Sequence, residues 1–433
     1  MGAPRLRRRD DAGDRVVSGR LLLLVESNTT GTGRLFARRA AELDVTPVLL
    51  SKDPARYPYA AEDGLRTVVV DTSDADRLWE AAGRLAAEAP VAGVLTSSEY
   101  YVPAAAALAS RLGLPGPSAD AVRACRDKAE QRRILAAAGV GVPGFAVVST
   151  ADAAVSAAAT RLPVVVKPVQ GSGSLGVRLC SDLDEVAGHA GALLAATTNE
   201  RGVATPGRIL VEEYLTGAEF SVEVFGTEAV VTVTKHVGPL PAFVEVGHDV
   251  PAALPAGLER ELRQTAVRAV TALGLGWGAA HVELRLDGPV AKVIEVNPRL
   301  AGGMIPELVR RACGIDLVRA QVLAALGRAA HPERALYGRA SIRFLTTDRD
   351  GILAPDLTVS LTRAGAVPGV VEAVLYRAPG EPIGPATDFR DRLGHVIAVA
   401  DHPAEAAGAA DRGVAALAGA IAATPLDRQE ALT

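Results

Sequence analysis

A charge excess of one sign, paired cysteines and long apolar runs are all missing from this chain, and each absence closes a class of function. Lys and Arg number 46 and Asp and Glu 50 over 433 residues, a formal net charge of -4. So even a balance gives no electrostatic reason for a nucleic-acid partner. Cys125, Cys180 and Cys313 lie far apart with no CxxC pair. They suit a reducing cytoplasm as ordinary buried residues, and no His/Cys set has zinc spacing. No stretch approaches the roughly 20 apolar residues that span a bilayer, so no membrane partner is expected. The run Leu21 to Val25 follows a basic cluster of Arg5, Arg7, Arg8 and Arg9. It is too short for the apolar part of a signal peptide, and Glu26 ends it.

Hydrophobic residues make up 49% of the chain and charged residues 22%, which reads as a globular protein with a large core. Much of the apolar content is Ala, as in GVAALAGAIAA, so helices on the outside of the fold are expected. The length allows about two to four domains.

Residues 1–19 are polar, without periodicity, and read as a disordered tail. Over residues 20–118, short non-alternating apolar runs (LLLLV, VTPVLL, TVVVD, VAGVLT) alternate with helical spacing (RLFARRAAELD, DRLWEAAGRLAAEA). That pattern predicts an α/β domain with a parallel sheet covered on both faces. Its first loop carries Gly31-Thr32-Gly33 but lacks the third glycine of a dinucleotide fingerprint, so it reads as a tight strand-to-helix turn. A helical segment capped by Ser118 connects at 119–139. Regions at 140–215, 216–325 and 326–433 each mix strands and helices.

Three segments carry chemistry. Val164 to Val177 (VVVKPVQGSGSLGV) brings one lysine from a buried strand into a loop with three glycines and two serines. Glycine lets backbone N–H groups approach phosphate oxygens, and lysine supplies point charge. The plain alternative is a flexible hairpin beside a solvated lysine. Val211 to Glu219 (VEEYLTGAE) places acids where adenine and ribose could donate hydrogen bonds, or is simply a solvated charge run. HVELRL and VIEVNPRL read as two strands joined by a turn at Leu286-Asp287-Gly288-Pro289. Their hairpin would set Glu283 beside Glu295, with Asn297 two residues on and on the same face. Two carboxylates and an amide oxygen suit Mg²⁺, and opposed carboxylates destabilise a sheet unless a cation lies between them.

Taken in order, these segments resemble the ATP-grasp superfamily over residues 20–325. The resemblance implies an ATP-grasp fold: an N-terminal parallel α/β domain, a small lid subdomain at 140–215, a larger α+β domain at 216–325 and a C-terminal α+β extension at 326–433. It implies ATP contacts from Lys128, from Lys167 and from the loop residues Gly171, Ser172, Gly173, Ser174 and Gly176. Glu212 would be the hinge acid, with Glu213 and Leu215 beside it, and Glu219 the ribose acid. Glu283, Glu295 and Asn297 would hold Mg²⁺, or Mn²⁺ in its place.

Within the superfamily the chain resembles carboxylate–amine ligases that include bacterial L-amino-acid ligases, which form dipeptides and related amides. Phe243-Val244-Glu245-Val246-Gly247-His248 resembles the segment over their active site. Asn297-Pro298-Arg299-Leu300-Ala301-Gly302-Gly303-Met304-Ile305-Pro306 resembles the stretch after their metal ligands. By that likeness Arg299 stands near the transferred phosphate, and Glu245 and His248 serve the substrates. Glu245 or His248, the latter with a pKa near neutrality, is a candidate base or amine anchor, and the Gly-rich loop and the 243–248 segment are candidate moving covers. His236 and His281 lie on the same elements, and nothing in the pattern calls for His281.

The implied reaction turns a carboxylate and ATP into an acyl phosphate and ADP, and an amine then displaces phosphate. Small-molecule carboxylate and amine partners follow, and a homodimer is compatible with the sequence. The rival readings are carboxylation or formyl transfer in nucleotide biosynthesis, and a non-catalytic ATP-binding protein.

Overall fold

The computed structural model describes residues 19–422 apart from 29–32, 172, 200, 201 and 203. The basic cluster, most of the glycine-threonine loop before Gly33, and Ser172 lie outside the described residues.

Leu21, Leu22, Leu23 and Val25 have no exposed surface, because their strand is central and covered on both faces. Its sheet runs in the order Arg66–Val69, Thr46–Ser51, Leu21–Val25, Val91–Leu95, and every pair is parallel, as the alternation predicted.

The segment expected as one connecting helix is two. Ser118 caps Ala119–Arg126 through the Ala121 amide. Asp127 then turns extended, and its carboxylate accepts from the amides of Ala129 and Glu130 to start Lys128–Ala137. That cap ends one helix and starts another within a single residue. It also puts Lys128 at a helix N-terminus, where the macrodipole disfavours a cation, so other groups have to hold the ammonium.

A second sheet, entirely antiparallel, runs Phe145–Val148, Ile209–Glu213, Val164–Pro168, Arg178–Cys180. Val164 and Val166 pack into its apolar core with Ala154, Val186 and Ala190 from the backing helices. Strand alternation sends Val165 and Lys167 the other way, toward a cavity.

The third sheet has eight strands, in the order Val290–Asn297, Ala279–Asp287, Glu219–Phe225, Glu228–Val237, Glu245–Val250, Arg339–Leu345, Gly394–Ala400, Val370–Leu375. It runs across residue 326, where the sequence suggests a boundary. Glu245–Val250 pairs with Glu228–Val237 on one side and Arg339–Leu345 on the other. Helix Ala256–Ala272 covers one face through Leu262, Ala266, Ala269 and Val270 against Val222, Val224, Val282 and Leu284. The opposite face joins Val231, Val233 and Ile342 to Leu308 and to Leu22 and Phe36 of the N-terminal domain. Toward one end that face turns from apolar to charged.

All three cysteines are free and buried. Among the described residues no helix is long and apolar enough to cross a membrane.

Candidate active site

The charged end of the eight-stranded sheet faces the four-stranded antiparallel sheet across a cavity of about 110 Å³. Its walls include Lys128, Lys167, Gly171, Gly173, Ser174, Glu212, Glu213, Leu215, Glu219, Glu245, Glu283 and Glu295. Segments far apart in the sequence thus converge on one space.

Around the lid strands the charges come in small groups. Lys167 Nζ lies 2.6 Å from Glu212 Oε2, and Arg132 Nε lies 2.7 Å from Glu212 Oε1. Arg132 is fully buried and was not singled out from the sequence. Its place in a helix, four residues after Lys128, was the available signal. Burial alone would raise the Glu212 carboxyl, but Arg132 and Lys167 outweigh it and hold it below the ordinary range. Burial pushes the Lys167 ammonium down, against the pull of Glu212. Glu212 is therefore no solvated charge.

Lys128 Nζ sits 2.9 Å from Glu295 Oε1 and donates to the Gly171 carbonyl at 3.1 Å. Those contacts hold the cation that its helix position disfavours. In the glycine-rich loop Ser174 adopts φ 63° and donates to the Phe243 carbonyl. Gly173 has φ 66°, and a Cβ there would lie 2.2 Å from Phe389 Cδ1. Both conformation and space demand glycine at that position. Glu213 accepts from the Gly144 amide and pairs with Lys292 at 3.1 Å, so it turns away from the group around Glu212. The Leu215 carbonyl accepts from Arg285, and Arg285 also pairs with Glu219.

On the sheet face Glu283 stands opposite Glu295, and Asn297 opposite His281, as expected, but the turn is Gly288-Pro289 and a register shift between Glu283 and Leu284 is what brings the two acids opposite. His281, which no motif called for, donates to Glu223 Oε1 (2.7 Å) and Glu283 Oε1 (3.2 Å). Burial would lower its pKa, but Glu223 and Glu283 together raise it to about 9. A residue that sequence reasoning missed sits at the centre. Lys235 Nζ lies 3.0 Å from Glu219, 2.7 Å from Glu245 and 2.9 Å from Glu283.

Glu283, Glu295 and Asn297 offer only hard oxygen, which fits a divalent ion. The Asn297 amide nitrogen points at carboxylates, 3.1 Å from Glu295 Oε1 and 3.2 Å from both Glu99 oxygens, and donates to them. Glu99, also missed from the sequence, is paired with Arg299 and Arg126. Burial would raise its carboxyl, but Arg299, Arg126 and Lys128 bring it down to about 2. Arg299 is thereby fixed beside Asn297.

Glu245 and His248 depart from expectation. They lie in the interior strand Glu245–Val250, hydrogen-bonded on both sides, so this segment is not a moving cover. His248 has no exposed surface, and neither ring nitrogen has a hydrogen-bond partner among the described residues. Its Nε2 is 3.6 Å from Glu245 Oε2. Burial pushes the imidazole down to about 3, not near neutrality, so the ring is uncharged. The Glu245 carboxyl lies well below the ordinary range; Lys235, His248 and Arg392 outweigh the burial that opposes them. A Cβ on Gly303 would come 2.6 Å from His248 Nε2, so glycine there leaves the ring its room. His236 points to the other face and meets Asp249 at 2.6 Å.

A parallel α/β domain, an antiparallel lid with a lysine and glycine loop, and a large sheet bearing paired acids together make up the architecture of an ATP-grasp fold. Residues 37–116 match the ATP-grasp N-terminal domain, 160–307 the ATP-grasp domain, and 343–419 the L-amino acid ligase C-terminal domain 2. The chain belongs to the ATP-grasp family. It is 38% identical over 382 residues to uncharacterized protein y4rH of Sinorhizobium fredii, covering 88% of this chain and 78% of that one. It is 30% identical over 339 residues to carnosine synthase 1 of Gallus gallus, covering 72% of this chain. There the chain spans only 36% of the relative's length. The solved L-amino acid ligase from Bacillus licheniformis has the same fold, with a TM-score of 0.76 at 22% identity, covering 94% of this chain and 99% of that one.

Proposed function

We propose that this protein is an ATP-dependent ligase that joins a carboxylate to an amine, with amino acids or close analogues as substrates. One observation carries the reading: Lys128, Lys167 and the glycine loop face Glu283 and Glu295 across a single cavity, with Asn297 two residues after Glu295 on the same strand. Phosphoryl transfer needs positioning and charge neutralisation more than covalent chemistry, and those groups supply both. Similarity to carnosine synthase and to the L-amino acid ligase C-terminal domain favours amide formation over carboxylation or formyl transfer.

In this reading the backbone of the 171–176 loop and the two lysines hold the ATP phosphates. The carboxylate substrate attacks the γ-phosphorus, the bond to the β-phosphate oxygen breaks, and an acyl phosphate and ADP result. A magnesium ion held by Glu283, Glu295 and Asn297 would neutralise phosphate charge. Arg299, oriented by Glu99, offers its guanidinium to the transferred phosphoryl group. Glu245 anchors the ammonium of the incoming amine, because its low pKa keeps it anionic. His248 stays neutral behind Glu245, 3.6 Å from its Oε2, and packs that carboxylate in place for the amine. The ammonium gives one proton to solvent, the freed lone pair on nitrogen bonds to the acyl carbon, the acyl carbon–oxygen bond breaks, and phosphate departs with the second N–H proton.

The test is to measure ADP and products by mass spectrometry over a panel of amino-acid pairs. One amide formed per ADP is expected for the preferred pair. ADP release that requires bicarbonate, with no amide, would overturn the reading.

A further inference from the structure

Lys235 is not among the cavity-lining residues, yet three that are (Glu219, Glu245 and Glu283) all close on its ammonium. One oxygen from each of those carboxylates lies within 4.8 Å of the others, a spacing that a divalent ion could bridge. The Lys235 side chain is 1% exposed. Its strand pairs with Glu219–Phe225 on one side and Glu245–Val250 on the other, with Lys235 in register opposite both Glu219 and His248. The ammonium therefore has no solvent route by which to leave.

The second oxygen of each carboxylate is also engaged. Glu219 Oε2 accepts from Arg285, Glu245 Oε2 from Arg392, and Glu283 Oε1 meets His281. Each acid is clamped between the lysine and a separate partner, and among the described residues the lysine is the group common to all three. Glu283 is also one of the oxygen donors of the Glu283–Glu295–Asn297 set. The same sheet face thus offers two neighbouring acid clusters that share one carboxylate. Only one of them has a cation of the chain at its centre.

We infer that Lys235 is a resident cation that closes the Glu219–Glu245–Glu283 cluster to metal and confines the divalent ion to the Glu283–Glu295–Asn297 side. It is a positioning residue: it fixes Glu245 toward the amine and Glu283 toward the metal, and touches neither substrate. A neutral side chain at 235 would leave three carboxylates facing one another in a buried space, a set that recruits a hard cation. The inference rests on the ligase reading only in assigning Glu283 to the metal.

The experiment is a Mn²⁺ titration of the full-length, nucleotide-free protein, read by electron paramagnetic resonance. Lys235→Met is expected to bind about one more Mn²⁺ per chain than the parent. Lys235→Arg, which restores the charge, is expected to match the parent. Lys235→Met/Glu245→Gln, which removes one donor, is expected to lose the extra ion. Equal stoichiometry in Lys235→Met and the parent overturns the inference. If Lys235→Met melts below the assay temperature, its melting point is followed against Mn²⁺ concentration. A Mn²⁺-dependent rise absent from the parent then supports the inference, and no rise overturns it. Amide formation plays no part in this readout. A protein that makes no amide but gains Mn²⁺ on Lys235→Met would sink the ligase reading and leave this one standing.

Discussion

The two walls of the cavity are charged in different ways. On the lid side, cations and carboxylates meet in small groups: Lys128 with Glu295, and Lys167 and Arg132 with Glu212. On the sheet side, Glu219, Glu245 and Glu283 are each bound twice, with Lys235 common to all. A small group can exchange one partner for a ligand phosphate and keep the rest. A network spanning four strands holds its geometry whether or not a ligand arrives, and that stiffness preorganises a site for charge. The lid wall is therefore built to change partners, and the sheet wall to stay as it is.

The sharpest test of this contrast lies where the walls meet. Glu295→Gln removes an anion that both Lys128 and the metal would use, and turnover should fall on the order of a thousandfold or more. Thermal melting should show a folded protein. Phosphate release near the parent rate at saturating Mg²⁺ would show that Glu295 belongs to neither wall's chemistry.

A smaller effect is expected on the lid side. Lys167→Ala should weaken ATP binding by roughly 10- to 100-fold, the value of one charge-assisted contact. The fold should survive, because Arg132 still holds Glu212. Calorimetry that found unchanged ATP affinity, together with an unchanged rate, would make Lys167 only a counterion for Glu212.

The smallest effect is expected at His248. His248→Ala should leave ATP affinity alone and raise the KM for the amine, lower kcat, or both, by a factor of about ten. ADP release should outrun amide formation as water intercepts the acyl phosphate. Because burial pushes this imidazole down to about 3, it stays neutral between pH 5 and 8. The acid limb of the kcat/KM profile should therefore be the same in parent and variant. Loss of ATP binding would move His248 to the nucleotide side, and a parent-like amide yield would remove it from the reaction.

What the sequence made legible follows the same division. The lid signals are local: Lys167 and its glycine loop lie within ten residues, and glycine at those positions has few other reasons to recur. The Glu283–Glu295 hairpin was readable from its short turn, but the facing of the two acids also depends on a register shift between Glu283 and Leu284 that no motif marks. Lys235, Arg132, Glu99 and Arg392 carried no such mark. Each matters through a partner that is distant in sequence, as Lys235 does through Glu283 and Arg299 through Glu99. Strand order across eight strands is not written in any one segment. The neutral state of His248 was equally hidden, since it depends on burial by the Arg339–Leu345 strand and on the room left at Gly303. The break at Asp127 could have been read, because Asp before Lys-Ala-Glu is a capping pattern.

The eight-stranded sheet has one more consequence, for how such a protein can be rebuilt. The strand bearing Glu245 and His248 takes one neighbour from before residue 326 and one from after it. Arg392, which bonds the Glu245 carboxylate, and Phe344, whose ring meets the His248 edge, both come from the later part. Exchanging residues 339–400 between relatives would thus graft a new surround onto the amine end, while Lys128, Lys167 and the glycine loop stayed with the host. On the ligase reading, selectivity and nucleotide use would be separable by two crossover points in the gene, one at each end of that segment.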